Sequence, residues 1–324
     1  MKTQTRPLIL LLTLLAGIAP AAGQSREPTA RGGTARPAGE RPGGDFVNVL
    51  PGRQPDKTAI YKQTPQGELK LDLFFPKAWS PHDQRPAIVF WTGGVFRRSG
   101  TTQFASQASY FAARGLVCVC ADYRVQITHG TLIDKCAEDA RSAMRWVKGH
   151  APELGIDPQK VIAAGGSAGG TLSLLVARET GPNAKDDDIR ISPRPCALVL
   201  FNPAVGEPVL RVIGRGGEAQ AAVNAQIMAL DTPQKDEPPT LFLYGTKDPF
   251  LAVAREFCRK AHAQQSRCEL WTAEGAPHSF FNSAPWHDAT VRKADEFLAA
   301  LGYLQGPPAI QDNPEAVLKR ELPE

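Results

Sequence analysis

Three side chains in this 324-residue chain sit where covalent chemistry is feasible: Ser167, Asp248 and His278. Ser167 is the tip of Gly165-Gly166-Ser167-Ala168-Gly169-Gly170, which follows the apolar run Lys160–Ala164 and precedes Thr171–Arg178. That pattern predicts a strand, a very tight turn and a helix, with small neighbours letting strand and helix approach. It is the G-x-S-x-G nucleophile elbow in the strand–turn–helix setting the motif needs. A plain Gly/Ser turn is the alternative, and the setting favours chemistry. A serine hydroxyl is a weak nucleophile and needs a base within hydrogen-bond reach. His278 lies in Gly275-Ala276-Pro277-His278-Ser279-Phe280-Phe281, after an apolar strand at 268–272. Asp248 lies in Gly245-Thr246-Lys247-Asp248-Pro249, after a strand at 240–244. Alone, the histidine would read as a surface loop residue and the aspartate as a turn former. Three strand ends in the order Ser, Asp, His instead predict a triad, with Asp248 orienting the imidazole of His278.

Attack on a carbonyl builds negative charge on oxygen, which backbone N–H groups must receive. Ala168, directly after the serine at a helix start, is one candidate donor. Gly93 and Gly94, after the apolar strand Ala87–Trp91, are the others, because a residue without Cβ lets the backbone approach a substrate. Arg97 and Arg98 follow; they read as a solvated loop or as partners for an acidic group on a substrate.

The positioning elements follow from periodicity. Strands are expected at 58–62, 69–75, 87–91, 116–121, 161–165, 196–201, 240–244 and 268–272. Helices are expected near 102–114, 131–149, after the elbow, 249–264 and 286–301. Fully apolar strands alternating with amphipathic helices predict an α/β fold with a mainly parallel central sheet and helices on both faces. In such sheets ligands gather at the carboxyl ends of the strands, where Ser167, Asp248 and His278 fall. One domain is expected over 58–303, with residues 206–238 as a candidate cap and 304–324 as a peripheral tail.

Upstream, Lys2 and Arg6, the apolar run Leu8–Ile18 and small residues through Gly23 read as a signal peptide over 1–23. Residues 24–57, rich in Gly, Pro and Arg, read as a flexible linker. An exported protein, periplasmic or extracellular, with no stable membrane association after cleavage is expected. Lys2 and Arg6 account for two of the formal +4, leaving about +2 on the remainder, too little to argue for nucleic acid. The six cysteines match no zinc spacing, and nothing points to a metal or another cofactor. Cys118 and Cys120 alternate on one strand and face the same side, which disfavours their pairing. Cys258 with Cys268, separated by a helix-to-strand turn, is the first choice for a disulfide, with free buried thiols the alternative.

Taken with Ala121-Asp122-Tyr123-Arg124, Glu153-Leu154-Gly155-Ile156-Asp157-Pro158 and the His278 segment, the elbow resembles the α/β-hydrolase superfamily, most closely its esterase/lipase branch with an HGG-type oxyanion loop. The resemblance covers roughly residues 60–303. It implies Ser167 as nucleophile, Asp248 as acid, His278 as base, and donors from Gly93, Gly94 and Ala168. The chain departs from the branch at Thr92-Gly93-Gly94-Val95-Phe96, where His-Gly-Gly-Gly-Trp is usual. Asp122 precedes the elbow and is expected to hold backbone groups or Arg124. The resemblance implies hydrolysis of carboxylic esters without cofactor, on short acyl groups of small molecules or carbohydrates, as in acetyl-xylan or feruloyl-type esterases. A serine peptidase of the prolyl-oligopeptidase kind shares the triad order, and a non-catalytic binding protein of the same fold is the reading from another class.

Overall fold

Buried side chains alternate strictly along the two central strands β3 (Arg85–Trp91) and β4 (Val117–Ala121), and this alternation defines the layers. Ala87, Val89, Trp91, Val117, Val119 and Ala121 belong to one core, while Ile88, Phe90, Cys118 and Cys120 belong to the other. A strand buried on both faces needs a helical layer on each. The structure is a computed structural model that describes residues 50–178, 180–214 and 217–322; the expected signal peptide and most of the expected linker lie outside those residues.

A single nine-stranded sheet is present among the described residues, in the order β1-β2-β4-β3-β5-β6-β7-β8-β9. It comprises β1 (Lys57–Thr64), β2 (Gly67–Phe74), β3, β4, β5 (Ile156–Gly166), β6 (Leu198–Phe201), β7 (Thr240–Gly245), β8 (Cys268–Ala273) and β9 (Leu318–Glu321). The pairs from β4 through β3, β5, β6 and β7 to β8 are all parallel. The hairpin β1–β2 joins β4 antiparallel, and β9 closes the other edge antiparallel to β8.

The helices are α1 (Ala105–Ala113), α2 (Gln126–His129), α3 (Ile133–Gly149), α4 (Ala151–Leu154), α5 (Ala168–Ala177), α6 (Glu207–Ile213), α7 (Glu218–Met228), α8 (Leu251–Ala263) and α9 (Trp286–Ala300). Apolar residues of α3, α5 and α8, among them Met144, Leu172 and Phe257, fill the first core. Phe111 of α1 and Val291 and Leu298 of α9 fill the second. The expected fold class is the observed one, and every parallel strand ends toward the same edge.

Some details depart from expectation. The elbow strand begins at Ile156, five residues earlier than the apolar run at Val161, because Arg85 pairs with Ile156 across a register shift. Leu318–Glu321 of the polar tail is a strand, tied down by Arg255, whose guanidinium meets both Glu321 oxygens at 2.6 and 2.7 Å. Its burial is partial, so no apolar run announces it. Residues 206–238 form α6, α7 and a short turn at Ala229–Asp231, and α7 packs against α3 and α5. Asp122 does not meet Arg124: its carboxylate accepts from Ser99 Oγ and from the Tyr123 N–H, while Arg124 pairs with Glu138 and Asp139. Cys258 and Cys268 form a disulfide between α8 and β8, and Cys118 and Cys120 are free and buried on one face. None of the described helices is long and apolar enough to cross a membrane.

Candidate active site

The elbow is built by close backbone approach. A Cβ on Gly169 would collide with the Trp91 carbonyl of β3, and one on Gly165 would meet the Gly169 backbone at 2.5 Å. Only glycine allows α5 to start this close to β3. Ser167 sits between them at φ 51°, ψ −119°, a sparsely populated conformation that lifts its side chain out of the sheet edge. Its N–H donates to Phe201 O and its carbonyl accepts from the Ala204 and Thr171 N–H groups, so the strained turn is held on both sides.

Two loops bring up the partners. After β7, the Lys247 N–H donates to Ala276 O, and the Gly275 N–H donates to Thr246 Oγ1 at 2.7 Å, joining that loop to the one after β8. A Cβ on Gly245 would collide with the Ala276 carbonyl, so here too glycine sets the spacing. Asp248, its side chain fully buried, divides its two oxygens: Oδ1 accepts the Phe250 N–H at the start of α8, and Oδ2 lies 2.7 Å from His278 Nδ1. His278 Nε2 lies 2.8 Å from Ser167 Oγ. The three sequence-predicted residues therefore form one hydrogen-bonded chain at the C-terminal edge of the sheet. Phe281, three residues past the histidine, is wedged between Phe104 and Phe201 with ring centroids at 5.6 and 5.0 Å, anchoring the histidine loop to the start of α1 and the end of β6.

The loop after β3 departs from expectation in one respect. Gly93 donates its N–H to Gln103 Oε1 at 2.6 Å, so that amide is already committed. A Cβ on Gly93 would lie 3.3 Å from Ser167 Cβ, so glycine here allows approach rather than supplying a donor. Gly94 turns the chain at φ 115°, and its carbonyl accepts from the Arg97 and Arg98 N–H groups. Val95 and Phe96 follow at φ 58° each, so three successive residues hold left-handed conformations. Helix α2 braces them, Gln126 and Ile127 donating to Phe96 O and Arg97 O. Among the described residues, no hydrogen bond has the Gly94, Val95 or Ala168 N–H as its donor. Thr92, at the position of the family's histidine, is buried with an unpartnered hydroxyl, and its carbonyl accepts from Tyr123 OH at 2.8 Å. Arg97 and Arg98 are exposed.

Sequence reasoning missed Gln103, Asn282 and Asn202. Gln103 carries a second bond, Nε2 to Asn282 Oδ1 at 3.1 Å, which links the Gly93 loop to the histidine loop. Asn202, at the end of β6, places its side-chain nitrogen 3.2 Å from His278 Nδ1 and 3.4 Å from Nε2. Among the described residues no cluster of His, Cys, Asp or Glu is arranged to hold a metal ion.

A doubly covered parallel sheet carrying a glycine-walled serine elbow defines an α/β-hydrolase, and comparison with known proteins narrows this. A family model described as BD-FAE matches residues 71–197. The esterase Est2 of Thermogutta terrifontis with propionate bound is 35% identical, with a TM-score of 0.69 over 77% of this chain and 96% of that one. The same enzyme phosphorylated by paraoxon is 36% identical, with a TM-score of 0.69 over 77% and 95%. Carboxylesterase NlhH of Mycobacterium tuberculosis is 35% identical over 104 residues, 31% of this chain and 32% of that protein. A non-reducing polyketide synthase of Stachybotrys bisbyi is 28% identical over 178 residues, 53% of this chain and 8% of its own length. The match thus spans a third or less of these curated relatives. The chain belongs to the α/β-hydrolase esterase family.

Proposed function

We propose that this chain is an exported serine carboxylesterase acting on short acyl esters, with Ser167 as nucleophile, His278 as base and Asp248 as the acid that orients it. The observation that carries the reading is the unbroken Ser167–His278–Asp248 hydrogen-bond chain at 2.8 and 2.7 Å. Ser167 Oγ attacks the ester carbonyl while its proton passes to His278 Nε2. Asp248, buried and bonded to Nδ1, stabilises the imidazolium that forms. The oxyanion is received by the amides of Gly94 and Ala168, with Val95 N–H the third free donor in reach of the same loop. His278 then returns the proton to the leaving alcohol, and a water it deprotonates releases the acid from Ser167.

Two observations support short acyl groups. Est2 has been solved with propionate and with butyrate bound. The loop opposite Ser167 carries Val95 where its family has glycine, which adds side-chain bulk beside the oxyanion donors. Within that class we assign esters carried on carbohydrates, on the family resemblance and the predicted export signal at 1–23.

The test is hydrolysis of p-nitrophenyl acetate, butyrate and decanoate by wild type and Ser167→Ala. Preference for acetate and butyrate, with at least a thousandfold loss in the variant, is expected, on the order of what removing a triad nucleophile costs. Inactivity of the wild type on every ester, or unchanged activity in the variant, would overturn the proposal.

A further inference from the structure

We propose that Asn202 is a positioning residue for the imidazole of His278, a role that rests on the esterase reading above. Asn202 is fully buried, and its side-chain nitrogen lies nearly equidistant from the two ring nitrogens at 3.2 and 3.4 Å. Both in-plane directions of that ring are taken, Nδ1 by Asp248 and Nε2 by Ser167. An atom equally close to both nitrogens must then lie off the ring plane, so the Asn202 amide rests on the face of the imidazole. An N–H over an aromatic face is a weak attraction, and from a buried, immobile side chain it restricts tilting of the ring. Phe250 makes the remaining ring contact, T-shaped at 5.5 Å between centroids. Among the described contacts of His278, Asp248 alone carries a charge.

The backbone delivers this amide deliberately. Asn202 adopts φ 39°, a conformation that side-chain-bearing residues avoid and that asparagine tolerates best. Its N–H donates to Leu243 O at 2.7 Å, the next carbonyl (Pro203) accepts from Tyr244 OH at 2.6 Å, and Ala204 N–H donates to Ser167 O. Burial, reinforced by nearby Asp248, pushes the Tyr244 phenol well above its ordinary pKa, so it stays a donor. Asn202 is therefore clamped to the elbow on one side and to β7 on the other. Its Oδ1 has no partner, although buried polar oxygens are nearly always satisfied. Asparagine suits that positive φ, and with its oxygen unpartnered the contact its amide makes is with the His278 ring.

Three measurements test this. Asn202→Gly keeps the backbone conformation and removes the amide; kcat is expected to fall about tenfold or more with KM within about twofold. Asn202→Asp puts a carboxylate on the ring face and is expected to raise the acid limb of the kcat/KM profile by about one pH unit. The same upward shift is expected in the 15N NMR titration of His278, read without substrate, which separates failure of this proposal from failure of the esterase reading. Unchanged kcat in folded Asn202→Gly, or an unmoved His278 titration in Asn202→Asp, would overturn the assignment.

Discussion

The side-chain amide of Gln103 spans two loops: its oxygen accepts the Gly93 N–H at 2.6 Å, and its nitrogen donates to Asn282 Oδ1 at 3.1 Å. The strand-end loop facing Ser167 and the loop carrying His278 are thereby fastened through one buried residue from the start of α1. Gln103→Leu removes both bonds while keeping most of the volume. Leaving the Gly93 N–H buried without an acceptor is expected to lower stability by about 1–3 kcal/mol. Urea unfolding measures that loss, and steady-state kinetics should show kcat falling more than KM rises. A folded variant with full kcat would show that the loop keeps its shape unaided.

The elbow makes a second prediction. Gly169→Ala sets a methyl group against the Trp91 carbonyl, which cannot yield because β3 is central to the sheet. A loss of about 3 kcal/mol or more, or failure to express in soluble form, is expected. Gly100→Ala, where a Cβ would meet nothing within 4 Å, is the control and should stay within about 0.5 kcal/mol of wild type.

An acid-labile cluster lies away from the site, where Lys62 of β1 and Arg124 after β4 converge on Glu138 and Asp139 of α3. Burial pushes the Glu138 carboxyl upward, but bonds from Lys135, Lys62 and Arg124 outweigh it and hold it at about 2, against an ordinary 4.5. The unfolded chain binds that proton more readily than the folded one. The stability Glu138 contributes is therefore complete above about pH 4.5 and is lost as pH falls toward 2. Glu138→Gln should be less stable than wild type at pH 7, with the gap narrowing across that window. Thermal unfolding at pH 7, 4 and 3 checks it.

The proposed triad is accessible from the sequence because each member follows closely on an apolar strand, and parallel strands must present those ends at one edge. Ser167, Asp248 and His278 needed only strand order along the chain, not strand order in the sheet. Gln103, Asn202 and Asn282 carry no such mark. Each is an ordinary polar residue near an element end, and its importance arises from neighbours 179, 76 and 179 residues away. The Gly93 amide shows the same limit: a glycine pair after a strand signals close approach, but which N–H stays free depends on a glutamine ten residues on. The β9 strand escaped because its Leu-Lys-Arg-Glu composition is that of an exposed edge, recognisable only once β8 offers it a partner.

In the proposed reaction Ser167 is the group that becomes acylated. Treatment with paraoxon, the reagent that phosphorylates Est2, followed by peptide mass mapping, tests it directly. A single diethylphosphoryl adduct on Ser167 is expected, appearing in step with loss of esterase activity and absent from Ser167→Ala. Full inactivation with Ser167 unmodified, or an adduct on another residue that tracks the loss, would contradict it.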